Sequence, residues 1–321
     1  MATQAWTMAP ARERKPNRDC KGADNAPSRD RKGADQSASR FRILGEFAGL
    51  IGLPTSEFVL CLSSNTGIII SMSDNFAQNV KQVADWLHRA DRVAVMTGAG
   101  VSAESGVATF REAGGLWEGR RAEEVATPEA FRADPESVWR FYKLRRTGLL
   151  ECRPNPAHEA LAELERICAN FCLITQNVDD LHRQAGSQNL IELHGNIWID
   201  RCWDCDRQER PEQVSEEPIP RCSACGGMMR PGVVWFGEML PPEAIDGAQS
   251  AAAQADVMLV VGTSSLVQPA ASLAMVAQQN GAKVVEINPE ATPLTHSADL
   301  VIAEKAGIAV PAVLEALPSE S

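Results

Sequence analysis

The sequence predicts an α/β fold: a Rossmann-like parallel sheet with helices on both faces, plus a small zinc-binding module. Three observations carry this. Apolar strands alternate with amphipathic helices from residue 76 onward. A glycine-rich loop, Gly98-Ala99-Gly100-Val101-Ser102-Ala103, directly follows one of those strands. Two Cys-x-x-Cys pairs, Cys202/Cys205 and Cys222/Cys225, interrupt the pattern with sixteen residues between them.

At 321 residues the chain has room for one large domain or two modest ones. Its formal charge of −11 argues against non-specific binding to nucleic acid or to a membrane surface. No apolar run is long enough to span a bilayer, and the N-terminus lacks the apolar core of a signal peptide. Nine cysteines, four of them in paired knuckles, suit a reducing, cytoplasmic setting better than a secreted disulfide framework.

Residues 1–40 carry nine Lys/Arg against five Asp/Glu with no apolar periodicity, and read as disordered. Residues 41–71 hold apolar stretches without a matching partner element. Two readings of residues 1–71 stay open: a mis-annotated extension ahead of a natural start at Met72, or a targeting or partner-binding arm. A helix is expected over about 76–89, then the strand Val93–Thr97 and the glycine loop. Thr127-Pro128, Asp134-Pro135 and Asn155-Pro156 each set a capping side chain before Pro, and so predict three helix starts. Strands follow at Phe171–Thr175 and Leu190–Leu193, then the cysteine module over about 200–230. Beyond it come a helix after Pro242, a strand Val257–Val261, a helix at about 268–279, a strand Lys283–Ile287, and a last strand and helix over 299–317. The domain expected from this pattern covers 72–318.

Glycines in the 98–103 loop let backbone approach a pyrophosphate, whose charge N–H groups at a helix start can receive. An ordinary tight turn is the plain alternative. No strand ending in an acid follows about 20 residues later, as a dehydrogenase would require. Instead Thr109-Phe110-Arg111 and Gly114-Gly115 extend a long loop of the kind usually kept for function. Gly262-Thr263-Ser264 and Asn288-Pro289-Glu290 lie at the carboxyl ends of two further strands, where open α/β sheets bind ligands.

These motifs, with Thr175-Gln176-Asn177-Val178-Asp179, His194-Gly195 and the four cysteines, stand in the order found in sirtuins, which the chain resembles over about residues 76–318. Sirtuins are NAD-dependent protein-lysine deacylases. The resemblance implies a cleft between a Rossmann-like domain and a structural Zn²⁺ held by Cys202, Cys205, Cys222 and Cys225. Four thiolates leave no open position on the metal, and disulfide pairing is the alternative. NAD would be wrapped by Gly98, Ala99, Gly100, Ser102, Ala103, Thr109, Phe110, Arg111 and Trp117. Gln176, Asn177 and Asp179 would line the nicotinamide and ribose site. Gly262, Thr263, Ser264, Asn288, Pro289 and Glu290 would hold the adenosine half, with Ala306 over adenine. His194 is implied as the general base, since imidazole titrates near neutrality. Val234, Trp235, Phe236, Gly237 and Glu238 would form a segment that pairs with the substrate peptide, against the plainer reading of a buried core strand. The acyl group would pass to the ADP-ribose part of NAD, releasing nicotinamide and free lysine.

Tyr142 and Arg145 lie three apart on the helix that Asp134-Pro135 starts, and Tyr142 is the only tyrosine. A phenol beside a guanidinium can receive a carboxylate. The sirtuins resembled in this pair, and in a small residue such as Ala126, remove succinyl, malonyl or glutaryl groups. The plain alternative makes Arg145 and Arg146 solvated helix charges and Tyr142 a core residue. A general lysine deacetylase, an ADP-ribosyltransferase on the same fold, a dehydrogenase and a zinc-ribbon binding module are the competing functions. The partners expected are NAD and acylated lysines of proteins.

Overall fold

The computed structural model describes residues 72–107, 116–117 and 120–318. The expectations for residues 1–71, and for Thr109, Phe110 and Arg111, lie outside the described residues.

Helix α1 (Met72–Arg89) begins four residues earlier than its apolar pattern suggests, and buries Val80, Val83, Ala84 and Leu87 at a three- and four-residue spacing. It leads into β1 (Arg92–Thr97) and the five-residue α2 (Ala99–Ala103). A short antiparallel ribbon pairs β2 (Leu116–Trp117) with β3 (Arg120–Arg121). After α3 (Ala122–Val125), the three capped helices start where predicted: α4 (Pro128–Ala133), α5 (Pro135–Leu149) and α6 (Pro156–Ile167). Thr127 Oγ1 accepts from Ala130 N at 3.0 Å, Asp134 Oδ1 from Ser137 N at 2.9 Å, and Asn155 Oδ1 from Ala157 N at 3.0 Å.

Next come β4 (Asn170–Thr175), α7 (Leu181–Ala185) and β5 (Leu190–Glu192). An antiparallel sheet of β6 (Gly195–Cys202), β7 (Gln208–Glu209) and β8 (Met229–Val233) carries the cysteine pairs. The chain then returns through α8 (Pro242–Gln254), β9 (Val257–Val261), α9 (Ser272–Gln279), β10 (Lys283–Ile287), β11 (Leu300–Ile302) and α10 (Ala306–Glu315). Helix α9 starts later than expected because Pro269 disfavours helical backbone at the residue before it, and residues 268–271 form turns instead.

The parallel sheet has the order β11-β10-β9-β1-β4-β5. Its two faces explain its unbroken apolar strands. Val93, Val95, Leu173, Leu259 and Val285 pack with α1, α6 and α10, whereas Ala94, Met96, Ile174, Met258 and Val284 pack with α8 and α9. Strand order reverses between β1 and β9, so the loops after these two strands diverge from the switch point where such sheets bind ligands. A third core, around Phe131, Trp139, Tyr142, Ile197, Met229 and Trp235, joins α4 and α5 to the cysteine-bearing sheet. Its anchor is Arg146, 1% exposed, which bonds Ile197 O at 2.7 Å and Asp200 Oδ1 at 2.6 Å. Arg146 is therefore no solvated helix charge. Removing either partner strands the other charge in the core, at a cost of about 3–5 kcal/mol. Among the described residues no helix is long and apolar enough to cross a membrane.

Candidate active site

The site forms where the loops after β1, β4, β5 and β9 meet. Gly98 N donates to Val261 O at 3.1 Å, Gly100 N to Gly262 O at 2.8 Å and Val101 N to Gly98 O at 3.1 Å. A Cβ on Gly98 would lie 2.7 Å from Thr263 Cβ, and one on Gly100 would lie 2.7 Å from Gly262 O. These glycines thus let two loops interlock backbone to backbone. The N–H groups of Gly98, Gly100 and Val101 therefore donate within the protein, and a pyrophosphate would be received by the others of this loop, such as that of Ala99. Ala99 is exposed and Ala103 half-buried, whereas Ser102 is sealed at 1% exposure. Ser102 braces the β4 loop from beneath. Its Oγ accepts from Asn177 Nδ2 at 3.0 Å and lies 3.4 Å from His158 Nε2.

Asn177 ties the β4 loop to the glycine loop, donating also to Gly98 O at 3.0 Å. Gln176 Nε2 reaches the β9 loop at Thr263 Oγ1, 3.0 Å away. Gly262 is held in left-handed backbone (φ 59°), Thr263 is buried and Ser264 is half-buried. At the end of β10, Asn288 Nδ2 donates to Glu290 O at 2.6 Å, while Pro289 and Glu290 are exposed. Ala306 opens α10 with its methyl group packed into the core. Trp117 lies in β2, where only the backbone is described.

His194 follows β5 and is half-buried, its Nδ1 2.9 Å from Gln176 O. A carbonyl only accepts, so Nδ1 carries the proton and Nε2 keeps a lone pair. Burial lowers the pKa of the ring below its ordinary value, with the Gln176 carbonyl working partly the other way. The result is a neutral imidazole with a basic nitrogen, oriented by the same glutamine that contacts the β9 loop.

On the α5 side, Tyr142 is buried and its hydroxyl accepts from Trp235 Nε1 at 3.0 Å. Burial pushes the Tyr142 pKa up to about 12, so the phenol stays protonated. Arg145 is partly buried, 5.7 Å over the Phe141 ring, and burial lowers its pKa while Tyr142 and Asp179 raise it. Asp179 is 5% exposed; burial raises its pKa, opposed by bonds from Leu181 N and Ser102 and by the Arg145 charge. Arg145 thus interacts electrostatically with both Asp179 and Tyr142, and Tyr142 is bonded in turn by Trp235. Ala126 is buried at the same wall, and its carbonyl accepts from Phe236 N at 3.0 Å.

The segment after β8 is a turn, not the buried strand of the plainer reading. Val234 N donates to His194 O at 2.8 Å, Trp235 N to Glu238 Oε2 at 2.8 Å and Glu238 N to Trp235 O at 3.0 Å. Gly237, in left-handed backbone (φ 85°), closes this turn, and Arg230 grips the Glu238 carboxylate. The N–H groups of residues 234, 235, 236 and 238 are thus spent inside the chain. A peptide would have to pair here through carbonyls or the Gly237 N–H. Trp235 is core, as the plainer reading holds, but Phe236 is 48% exposed.

The four cysteine Sγ atoms all lie within 4.8 Å of one another, with Cys202–Cys225 and Cys205–Cys225 at 3.5 Å and Cys205–Cys222 at 3.7 Å. A disulfide needs about 2.05 Å, whereas a tetrahedron of Zn–S bonds near 2.3 Å has edges of about 3.8 Å. The donor set fits one structural zinc. The remaining described cysteines, Cys152, Cys168 and Cys172, are unbridged.

A profile described as Sir2 family matches residues 98–269. The chain belongs to the Sir2 family. An NAD-dependent protein deacylase 1 from Archaeoglobus fulgidus is 53% identical over 213 residues, spanning 66% of this chain and 87% of that relative. The Thermococcus kodakarensis NAD-dependent protein deacylase is 51% identical over 238 residues, covering 72% and 93%. A crystal structure of a Sir2 homologue with NAD superposes with a TM-score of 0.71 at 47% identity, covering 74% of this chain and 93% of that one. A Sir2–p53 peptide–NAD⁺ complex gives 0.66 at 33% identity, covering 74% and 97%. This Sir2 protein is accordingly an NAD-dependent protein deacylase, an enzyme that consumes NAD and acts on acylated proteins.

Several residues of this Sir2 site carry no motif. His158 and His182 lie with ring centres 4.6 Å apart and planes tilted by 53°, and His182 Nε2 lies 2.9 Å from Thr97 Oγ1. Burial lowers the pKa of His158 to about 4 and lowers that of His182 as well. His158 was findable: it is the third residue of the helix that Asn155 caps, and its Nδ1 accepts from Asn155 N at 3.3 Å in a capping box. Nothing local marks His182.

Proposed function

We propose that this Sir2 enzyme prefers protein lysines carrying acidic acyl groups, such as succinyl, malonyl or glutaryl, over acetyl-lysine. The observation that carries the reading is the Tyr142–Arg145 pair, a protonated phenol and a partly buried guanidinium, set between Trp235 and Asp179. Trp235 already donates to the phenol oxygen, which leaves the phenol's own proton for a ligand. A distal carboxylate would receive that proton and the guanidinium fork. Ala126, buried in the same cluster as Tyr142, is small enough to leave room for a longer acyl chain in this reading. The partial burial of Arg145 tells against a merely solvated helix charge.

When bound in the cleft, NAD would supply an electrophilic ribose carbon with nicotinamide as its leaving group. The protein's part is orientation and proton transfer. His194 Nε2 would accept the proton of a ribose hydroxyl while Gln176 O holds the opposite nitrogen. Asn177 and Asp179 hold the loop that faces the ribose, and the loops at Gly262–Ser264 and Asn288–Glu290 hold the adenosine half. Residues 72–318 are the catalytic unit in this reading. Four of the nine cysteines stand in paired metal-binding knuckles, a usage that supports a reducing, cytoplasmic setting.

The test is nicotinamide release from one peptide sequence carrying acetyl-, malonyl-, succinyl- or glutaryl-lysine. The reading expects kcat/KM for the acidic acyl groups to exceed that for acetyl by at least tenfold. Equal values would leave a general deacetylase, and label transferred from NAD onto protein would mark an ADP-ribosyltransferase.

A further inference from the structure

Asp180 caps α7 in the left-handed conformation (φ 74°, ψ 5°). A side chain with a Cβ rarely stays there unless its surroundings hold it. Its carboxylate is 5% exposed and well held. Asn196 Nδ2 of β6 donates to Oδ1 at 2.7 Å, Arg210 Nη2 bonds Oδ2, and Arg183 Nε lies 3.6 Å from Oδ1. Arg210 follows β7 in the cysteine-bearing sheet, far in sequence from the cofactor loops. One carboxylate thus fastens that module to the turn between β4 and α7.

The residue before it is Asp179. Its Oδ1 accepts from Leu181 N at 3.0 Å, its carbonyl accepts from Trp198 Nε1 at 3.1 Å, and its carboxyl faces Ser102 and Arg145. Asp179 and Asp180 share one planar peptide, so the left-handed turn at Asp180 helps to set the direction in which Asp179 points. We infer that Arg210 is a positioning residue: by gripping Asp180 from the zinc module, it holds the Asn177–Asp179 loop in the shape that receives NAD and faces Arg145. The inference rests on the reading of Asp179 as part of the NAD site. It gives the metal module a role in cofactor affinity besides its own stability.

The test uses the full, zinc-loaded chain. Arg210→Met is expected to keep one zinc per chain and raise KM for NAD about fivefold, with a smaller change in kcat. Arg210→Lys restores part of the loss, because a point charge can replace one of the fork's bonds. Asp180→Asn tolerates left-handed backbone and removes the charge, so it shifts KM the same way, and the double variant is no worse than the worse single one. Additive effects, or a lowered melting temperature with unchanged KM for NAD, would overturn the inference. Asp179→Asn separates the two readings. If it leaves NAD kinetics untouched, the NAD-site reading fails; if it acts while Arg210→Met does not, the coupling fails.

Discussion

Replacing Arg145 by Met removes a cation that lies between Tyr142 and Asp179 while keeping a stem able to cover the Phe141 ring. The magnitude follows from where the cation sits. Arg145 is partly buried, and Tyr142 beside it holds its proton up to a pKa of about 12, so a carboxylate there meets two donors and no competing phenolate. A hydrogen bond to a charged group is worth about 1.5–3 kcal/mol, a loss of about 10- to 150-fold in kcat/KM on succinyl-lysine. Acetyl-lysine has no distal charge and should lose little. A second effect comes through Asp179, whose charged form Arg145 stabilises. Without the cation its carboxyl moves further up, so residual acetyl activity is expected to fall away at a higher pH on acidification than in the parent enzyme. The assay is initial-rate nicotinamide release from matched succinyl and acetyl peptides at saturating NAD. Equal losses on both peptides would refute the reasoning and make Arg145 a structural support. Tyr142→Phe is the companion: it removes the neutral donor and strands the buried Trp235 N–H, costing about 1–3 kcal/mol of stability besides part of the acidic-acyl activity.

Gly100→Ala is expected to destabilise the protein without ligand by about 1–3 kcal/mol, because the added Cβ meets Gly262 O at 2.7 Å and backbone must move. An unchanged melting temperature in the absence of NAD would show that the glycine serves ligand approach alone. Burial holds the His158 pKa at about 4 against an ordinary 6.5, so the folded state prefers neutral imidazole. That contribution, roughly 3 kcal/mol, is present above pH 6.5 and lost as pH falls towards 4, and His158→Gln is expected to flatten this dependence. Denaturant unfolding at about pH 7.5 and about pH 5 checks it, and equal parent stability at both would exclude it. Chelating the zinc under reducing conditions is expected to release one ion per chain and abolish deacylation as the β6–β8 sheet loses order. Near-ultraviolet dichroism of Trp198 and Trp203 reports that order, and a metal-free chain that keeps both signal and activity would show the ion to be dispensable.

The strands and helix starts were legible because their causes are local. Val257–Val261 and Lys283–Ile287 fall where their aliphatic runs place them, and Thr127, Asp134 and Asn155 cap the helices that the following prolines open. The cysteine pairs were equally readable, since two short knuckles need only fold back on each other to bring four thiols together. The local shape of residues 233–238 was not. Residues 233–238 look like a continuing strand until Glu238 meets Arg230 and Gly237 turns the chain, and neither partnership has a local period.

By itself the sequence determined the family, the α/β order, the metal module and the candidate groups at the cleft: Gln176, Asn177, Asp179, His194, Tyr142 and Arg145. Tertiary structure decided what state each group occupies. It turned the glycine loop inward against Gly262, sealed Ser102, gave His194 its tautomer through Gln176, buried Arg146 on Asp200, and brought Arg210 to Asp180. The reason is range. Propensity, period and capping act over three or four residues, whereas desolvation and hydrogen-bond partnership are set by whatever the fold brings alongside, and here those partners lie tens to more than a hundred residues away in the chain.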